Sequence, residues 1–223
     1  NLSTLEEGYG INLIPLATFA MEAYKDDECA EFMPKMSGGA AAIDEKTKRL
    51  TSQMHKAIAI IQFKIEGQLI AKHPEWKMDK RRLFEHINYE KKEIEIDGKI
   101  YPMTSCHFPT INPASPYELS PEEMVLMAKL HHSFMVCEKL HKHIKVMLQH
   151  GCMYTIINDN LLFHASCPLN EDGSLKEVEI FPGKKFAGRE LMHQTGMQIR
   201  TAFQSDSDPK EREYAIDYFI YLW

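Results

Sequence analysis

The residue best suited to chemistry is a histidine at the end of an apolar segment. In Leu161-Leu-Phe-His164 a predicted strand ends at the histidine, and the small residues Ala165 and Ser166 follow. Side chains at the carboxyl ends of strands face the crevice where open α/β sheets bind ligands. Neutral imidazole is also the commonest nitrogen ligand of divalent transition metals. His164 is therefore a candidate metal ligand. The alternative is a histidine that ends a strand and bonds a nearby carbonyl, and spacing alone favours it.

A second candidate is a basic turn that precedes a predicted helix. It contains Lys184, Lys185 and Arg189. The backbone N–H groups at a helix N-terminus suit an anion, and arginine offers phosphate a planar fork of donors. These three residues are candidate phosphate ligands. A solvated basic turn is the commoner outcome for such a run.

A group of histidines in a predicted helix does not indicate a metal site. Its members are His131, His132, His141, His143 and His150. Residues two apart on a helix point in different directions, so His141 and His143 cannot chelate one ion together. His141 falls on the apolar stripe of the helix, and we expect it in the core.

The composition is that of an ordinary globular protein. The chain has 223 residues, of which 44% are hydrophobic and 26% charged, and its formal net charge is −6. Because an acidic chain repels phosphate backbones, we expect no nucleic-acid partner. No apolar run approaches the roughly 18–20 residues that span a bilayer, so we expect no membrane segment.

The cysteines predict reduced thiols. The chain has five cysteines, and no two of them form a Cys-x-x-Cys pair. This spacing argues against a disulfide framework and a zinc site. We therefore expect a cytoplasmic protein. Because the chain begins at Asn1 and ends in an aromatic run at Trp223, we also expect a piece of a longer protein.

Helical periodicity dominates the first third of the chain. Apolar residues recur every three or four positions from near residue 12 to 24 and from 42 to 72, which predicts two helices. Asn12 is a candidate cap of the first helix. The glycines at the end of segment 35–39 predict a loop between the helices.

After residue 72 the pattern changes several times. A short helix is predicted over 79–87, with Lys80-Arg81-Arg82 on a solvated face. Alternation around Asp97-Gly98 predicts a β-hairpin over 92–101, and four prolines in 106–121 predict an extended loop. Ser120 and Glu123 form a capping box that starts a helix predicted to run to about Gln149.

The last third of the chain alternates strands with helices. Strands are predicted at 152–157, 161–165 and 177–181, and helices at 188–203 and 209–223, the second capped by Asp208. We predict an α/β fold that is rich in helix and has an α+β appearance. So few strands beside so many helices indicate that some sheet partners lie outside the chain.

Several segments, in order along nearly the whole chain, resemble class III fructose-1,6-bisphosphatases. They are Leu5-Glu-Glu-Gly-Tyr-Gly-Ile-Asn-Leu-Ile-Pro-Leu-Ala-Thr-Phe-Ala20, Phe108-Pro-Thr-Ile-Asn112, Pro116-Tyr-Glu-Leu-Ser-Pro-Glu-Glu123, the run from Tyr154 to Pro168 with the Asp172-Gly173 turn, and Tyr221-Leu-Trp223. The run around His164 is also similar to the strand–histidine element of calcineurin-like metallophosphoesterases. Ala165 and Ser166 depart from the His-Gly pair often found there.

The resemblance implies a division of the chain into three parts. Residues 1–40 would be a helical segment that follows the metal-binding motifs of the family. Residues 41–150 would be a helical insertion or cap that carries the hairpin, and residues 151–223 would be part of a calcineurin-like metallophosphatase core. The family's Asp-x-His, Gly-Asp-x-x-Asp-Arg and Gly-Asn-His-Asp motifs would precede Asn1, and its Gly-His motif would follow Trp223.

The resemblance also implies a reaction. Two divalent ions, Mn²⁺ or Mg²⁺, would activate a water that attacks the 1-phosphate of fructose 1,6-bisphosphate, which gives fructose 6-phosphate and phosphate. His164 would hold one metal, and Lys184, Lys185 and Arg189 would hold the second phosphate. With one ligand present, we expect the chain alone to bind the metals incompletely and to be inactive.

Two other functions remain open. The chain could act as a non-catalytic cap or oligomerisation module of such an enzyme, or belong to a metallophosphoesterase with another substrate. Because strands removed from a sheet leave unpaired edges, we expect a homo-oligomer that associates through residues 152–165.

Overall fold

The computed structural model describes residues 2–33, 44–164, 166–181, 183–204 and 206–222. The chain divides into two compact units, an N-terminal unit, Asn1–Leu140, and a C-terminal unit, His141–Trp223. All five cysteines are free thiols. Within the described ranges, no helix combines the length and the apolar character needed to cross a membrane.

Two helices open the N-terminal unit after a short π-helix at Thr4–Gly8. Helix α1 spans Ile14–Ala23, and the Asn12 side chain accepts a hydrogen bond from the Ile14 N–H at 3.0 Å. Helix α2 spans Glu45–Lys72 and is capped by Asp44. Both predicted helices are confirmed. The expected start of α2 at residue 42 and the loop at 35–39 lie outside the described residues.

The predicted helix over 79–87 is wrong. The chain instead forms 3₁₀ turns at Asp79–Arg81 and Leu83–His86. Arg82 separates the two turns because its ψ angle of 65° lies outside the helical region.

A three-stranded antiparallel sheet follows these turns. Its strands are β1 (Ile87–Asn88), β2 (Glu93–Ile96) and β3 (Lys99–Pro102), in that order. The predicted hairpin is confirmed as β2 and β3. Asp97 and Gly98 both have positive φ angles, as the two-residue hairpin turn requires.

The helix expected from 121 to about 149 is two helices, α3 (Pro121–Met135) and α4 (Glu138–His150). The capping box of Ser120 and Glu123 is confirmed. Between the helices, the Cys137 N–H donates to the Phe134 carbonyl at 3.2 Å, and the Cys137 thiol donates to the Tyr9 carbonyl at 3.2 Å. This long-range bond links the break between the helices to the segment before α1.

The core of the N-terminal unit lies between α1, α2 and α3. Its most buried members include Leu16, Ala20, Ala57, Ile61 and Leu126. A second cluster, formed by Ile60, Phe84, Ile111 and Tyr117, packs under the 3₁₀ turns. The apolar residues that recur along α2 therefore face the core, as their periodicity predicted. The prediction that His141 lies in the core is wrong, because its side chain is exposed.

An ion pair is sealed inside the N-terminal unit. The Lys64 ammonium lies 2.7 Å from the Glu123 carboxylate and also donates to the Thr110 carbonyl at 2.6 Å. Neither charged side chain is more than 1% exposed. Glu123 thereby joins α3, whose first turn it caps, to α2.

The C-terminal unit contains two hairpins and two helices. The hairpins are β4 (Tyr154–Ile157) with β5 (Asn160–Phe163) and β6 (Val178–Phe181) with β7 (Lys184–Phe186). Helices α5 (Gly188–Phe203) and α6 (Pro209–Leu222) pack together around Ile180, Leu191 and Tyr218. The strands predicted at 152–157, 161–165 and 177–181 are confirmed as β4, β5 and β6, although β4 and β6 begin later and β5 begins and ends earlier than predicted. Strand β7 was not predicted from the sequence.

The described residues form a mixed fold of helices and three small antiparallel sheets. The mixture of helix and strand predicted from the sequence is confirmed. All strand pairs within the described ranges are antiparallel. The ligand-binding crevice of a parallel sheet, the reason for selecting His164, is thus not formed by β4 and β5.

Candidate metal and phosphate site

The turn between β4 and β5 fixes the place of His164. Asn158 and Asp159 have φ angles of 50° and 61°, and only short polar residues and glycine adopt this left-handed region readily. The resulting two-residue loop pairs Tyr154 with Phe163 at the far end of the hairpin. His164 follows Phe163 directly, at the point where the pairing ends.

His164 is exposed, and within the described part of the chain its imidazole forms no hydrogen bond or ion pair. Its ring is therefore available to a ligand. No three His, Cys, Asp or Glu side chains among the described residues converge to hold a metal ion. A two-metal centre needs several bridging and terminal ligands, so the residues present do not fit such a centre by themselves. The assignment of His164 as a metal ligand stays a prediction.

Helix α5 is hydrogen-bonded near one end to β4 and near the other end to the residue Gly151, which precedes β4. The Arg189 Nε donates to the Tyr154 hydroxyl at 2.8 Å, and its guanidinium lies 5.9 Å from the centre of the Tyr154 ring. Near the other end of α5, Arg200 donates to the Gly151 carbonyl at 2.9 Å. Arg189 thus already has a structural partner, which sequence spacing could not reveal.

The approach of α5 to the neighbouring loop depends on Gly188. Its φ angle is +53°, and a Cβ at this position would lie 2.7 Å from the Leu175 Cδ1. Any larger residue would strain the backbone and displace Leu175. Gly188 therefore helps to set the position of Arg189, the next residue.

The two lysines of the basic turn point in different directions. They are consecutive residues of β7, and side chains alternate between the two faces of a strand. The Lys184 ammonium lies 5.8 Å from the centre of the Phe181 ring, whereas Lys185 is paired in register with Glu179. The structure therefore does not bring both lysines to one face with Arg189. Their role as phosphate ligands stays a prediction.

The Pro182-Gly183 pair before these lysines is a turn signal from which β7 could have been predicted. Pro-Gly dipeptides mark turns, and Gly183 has a φ of +77° and donates its N–H to the Glu179 carboxylate at 2.9 Å. Alternating residues on both sides of residues 182–183 would have predicted the β6–β7 hairpin.

The hairpin that precedes His164 has apolar residues on both of its faces. Tyr154, Ile156, Leu161 and Phe163 share one face and line a cavity of about 410 Å³ beside α5. Ile157 and Leu162 lie on the other face, and each is at least half exposed. Strands that are apolar on both faces are typical of sheets buried on both sides.

The largest shift in the pKa of a carboxyl group occurs in the N-terminal unit. Burial opposes ionisation of Asp27, but hydrogen bonds from Lys56, from the Cys29 N–H and from His107 lower its pKa to about 2. The Lys56 ammonium is 2.6 Å and the His107 Nδ1 3.0 Å from the carboxylate. Structural ion pairs also shift pKa values. We therefore interpret this cluster as a structural ion-pair network that connects α2 with the segments around Asp27 and His107.

Cys29 is an unsuitable nucleophile. Its side chain is fully buried, and burial raises the pKa of its thiol to about 11. The thiol therefore stays protonated near neutral pH, and the thiolate is the reactive form.

Comparison with known proteins links the whole chain to one family. A family model described as Firmicute fructose-1,6-bisphosphatase matches residues 1–223. The curated relatives include proteins named fructose-1,6-bisphosphatase class 3 from Phocaeicola vulgatus, 51% identical over 100% of this chain and 34% of the relative, and from Parabacteroides distasonis, 52% identical over 100% of this chain and 33% of the relative. The relative with the same name from Clostridium novyi is 46% identical over 100% of this chain and 33% of the relative.

The chain spans about a third of the length of the curated relatives it matches. No solved structure matches it.

Proposed function

Because the chain belongs to the family of Firmicute fructose-1,6-bisphosphatases, we propose that a protein of the relatives' full length containing this chain hydrolyses fructose 1,6-bisphosphate to fructose 6-phosphate and phosphate. The observation that carries the proposal is the unbroken match of residues 1–223 to the family, with relatives of that name about half identical in sequence. Such a reaction would serve gluconeogenesis.

Phosphate release tests the substrate. The full-length protein is incubated with Mn²⁺ and, in separate reactions, fructose 1,6-bisphosphate, glucose 6-phosphate, glycerol 3-phosphate and 4-nitrophenyl phosphate. We expect fructose 1,6-bisphosphate to give the highest kcat/KM, and the 223-residue chain alone to release no phosphate. Preference for another phosphoester would reject the named substrate and leave a metallophosphoesterase of different specificity.

For the metal, we propose that His164 provides one ligand of a two-metal centre holding Mn²⁺ or Mg²⁺ and that the other ligands lie outside these 223 residues. Its exposed ring, free of partners among the described residues, supports this role. Bound divalent ions would act as Lewis acids that activate the attacking water. Electron paramagnetic resonance should detect weaker Mn²⁺ binding after His164→Ala in the full-length protein. Unchanged binding would remove His164 from the ligand set.

For the substrate's second phosphate, we propose Arg189 together with one of Lys184 and Lys185. Because the two lysines lie on opposite faces of β7, neutralising the correct one should raise KM roughly tenfold with little change in kcat. Lys176→Gln, outside the basic turn, is the control. Equal effects of Lys184→Gln and Lys185→Gln would indicate general electrostatics instead of a phosphate contact.

A second candidate function is assembly. The exposed apolar face formed by Ile157 and Leu162, together with the unpaired edges of β4 and β5, supports association of two copies or incorporation into a larger calcineurin-like sheet. Sedimentation should show a concentration-dependent homo-oligomer that Ile157→Ser with Leu162→Ser dissociates. A monomer at all concentrations would reject the homo-oligomer.

For the location of the protein, we propose the cytoplasm. The five free thiols support this proposal, because disulfides are rare in that compartment.

A further inference from the structure

A cavity of about 270 Å³ lies entirely within the N-terminal unit. Its wall is formed by α2, the 3₁₀ turns after α2, the three-stranded sheet and the segment around residues 103–108. Apolar and aromatic side chains predominate, including Ile60, Phe63, Phe84, Phe108 and Tyr117. Small-molecule sites typically combine such walls with a few polar groups.

The aromatic rings form a continuous wall with an exposed end. The Phe84 ring lies 5.6 Å from Tyr117, 6.3 Å from Phe108 and 6.0 Å from Phe63, measured between ring centres. Phe84 is buried, but Phe63 is 48% exposed although its neighbours Ile60 and Ile61 are buried. A flat apolar molecule could enter beside Phe63 and stack within this wall.

Among the described residues that line the cavity three are charged, and two of them already have partners within the chain. Lys56 is paired with Asp27 at 2.6 Å. The Glu31 carboxylate accepts hydrogen bonds from its own backbone N–H and from Ser105, which lower its pKa. Glu31 therefore stays ionised near neutral pH, and both charged groups are already held by partners in the chain.

Arg81 is different from its neighbours. Lys80 pairs with Asp97 at 2.8 Å and Arg82 pairs with Glu85 at 2.6 Å. The exposed Arg81 side chain forms no hydrogen bond or ion pair with the described residues. Among the described charged residues of the cavity wall, Arg81 is therefore the one without a partner, and its guanidinium is a planar donor suited to a carboxylate.

We propose that this cavity binds a small monocarboxylate with a flat apolar body, whose ring stacks against the aromatic wall and whose carboxylate pairs with Arg81. A sugar bisphosphate does not suit the site, because apolar walls offer few donors to its hydroxyl groups and one arginine faces two phosphates. The proposal goes beyond the phosphatase function and stands independently of it.

Calorimetric titration with two matched probes tests the site. Naphthalene-2-carboxylate carries the charge, and naphthalene-2-carboxamide has nearly the same shape without it. A charge-assisted contact with Arg81 should make the carboxylate bind roughly tenfold more tightly. Arg81→Gln should abolish this preference and leave binding of the amide within about twofold, since the amide does not depend on the charge. Arg212→Gln removes the same charge from the C-terminal unit and should change neither affinity.

A second variant locates the binding. Thr104 lines the cavity and is exposed, so Thr104→Trp should fill the space and abolish binding of both probes while the circular dichroism spectrum stays that of the parent. Three results would each overturn the proposal: no binding of the carboxylate at millimolar concentration, an unchanged preference in Arg81→Gln, or unchanged affinities in a folded Thr104→Trp variant.

Discussion

The two units of the chain differ in where they keep their apolar side chains. In the N-terminal unit, α1, α2 and α3 enclose their apolar faces, and even charged groups such as Lys64 and Glu123 are buried in pairs. In the C-terminal unit, the buried cluster found among the described residues is small, formed by Ile180, Leu191 and Tyr218, and the apolar side chains of the hairpin β4–β5 are largely exposed.

The difference indicates distinct roles. A unit that buries its own apolar surface resembles an independently stable domain. A hairpin that exposes apolar residues on both faces resembles strands whose covering layers are elsewhere. The proposed metal ligand His164 directly follows this exposed hairpin. We therefore expect residues outside these 223 to cover the hairpin and to supply the other metal ligands.

The largest expected effect on stability comes from breaking the buried ion pair of the first unit. Lys64→Met leaves the Glu123 carboxylate buried without its cation, so we expect the free energy of unfolding to fall by roughly 3–5 kcal/mol. Urea denaturation measures the change. The surface pair of Lys48 and Glu45, 2.6 Å apart, provides the control, and Lys48→Met should cost about 1 kcal/mol or less.

Adding Glu123→Gln to Lys64→Met should recover part of the lost stability, because the buried charge is then removed. Equal losses in Lys64→Met and Lys48→Met would contradict the description of the first unit as a closed core.

A pair of matched truncations compares the two units directly. Ile61 is 1% exposed and Ile157 is 54% exposed. We expect Ile61→Ala to lower the free energy of unfolding by roughly 2–5 kcal/mol through a cavity in the core. Ile157→Ala should lower it by about 1 kcal/mol or less, since little buried surface is lost. Similar losses at both positions would mean that the hairpin is covered in solution.

A smaller effect should appear at Asp27 as a dependence on pH. Its folded-state pKa of about 2 lies below its ordinary value of 3.8, so its ionised form stabilises the fold. The contribution is present above pH 4 and is lost as the pH falls through about 2. Asp27→Asn should therefore lower the free energy of unfolding at pH 7 by about 2 kcal/mol.

The difference between the parent chain and Asp27→Asn should shrink steadily between pH 4 and pH 2 in denaturation measured across that range. A constant difference would show that the ion pair with Lys56 is not the source of the stability.

Local signals predicted most of the elements. The bounds of α5 agree with those predicted from its periodicity, and the turns at Asp97-Gly98 and Asn158-Asp159 were recognisable because their residue types tolerate positive φ angles. The break between α3 and α4 was not predictable in this way. It coincides with a bond from the Cys137 thiol to the carbonyl of Tyr9, more than a hundred residues earlier, which local periodicity does not reveal.

The candidate site was predictable only in part. Chain order places His164 at the end of β5, and the sequence showed this. The bond of Arg189 to Tyr154 and the opposite faces of Lys184 and Lys185 arise from tertiary packing and from an unpredicted strand. The environment of Arg81, which has no side-chain partner among the described residues, was likewise not predictable, because Lys80-Arg81-Arg82 has uniform charge in sequence and three different environments in the structure.

The most direct test of the functional account compares two histidine variants of the full-length protein. Both His164 and His150 are exposed residues of the C-terminal unit, but only His164 follows the apolar hairpin. With fructose 1,6-bisphosphate and Mn²⁺, we expect His164→Ala to lower kcat at least a hundredfold and His150→Ala to retain the parent rate. Full activity in His164→Ala, with a folded protein, would contradict the assignment of the catalytic metal to this hairpin.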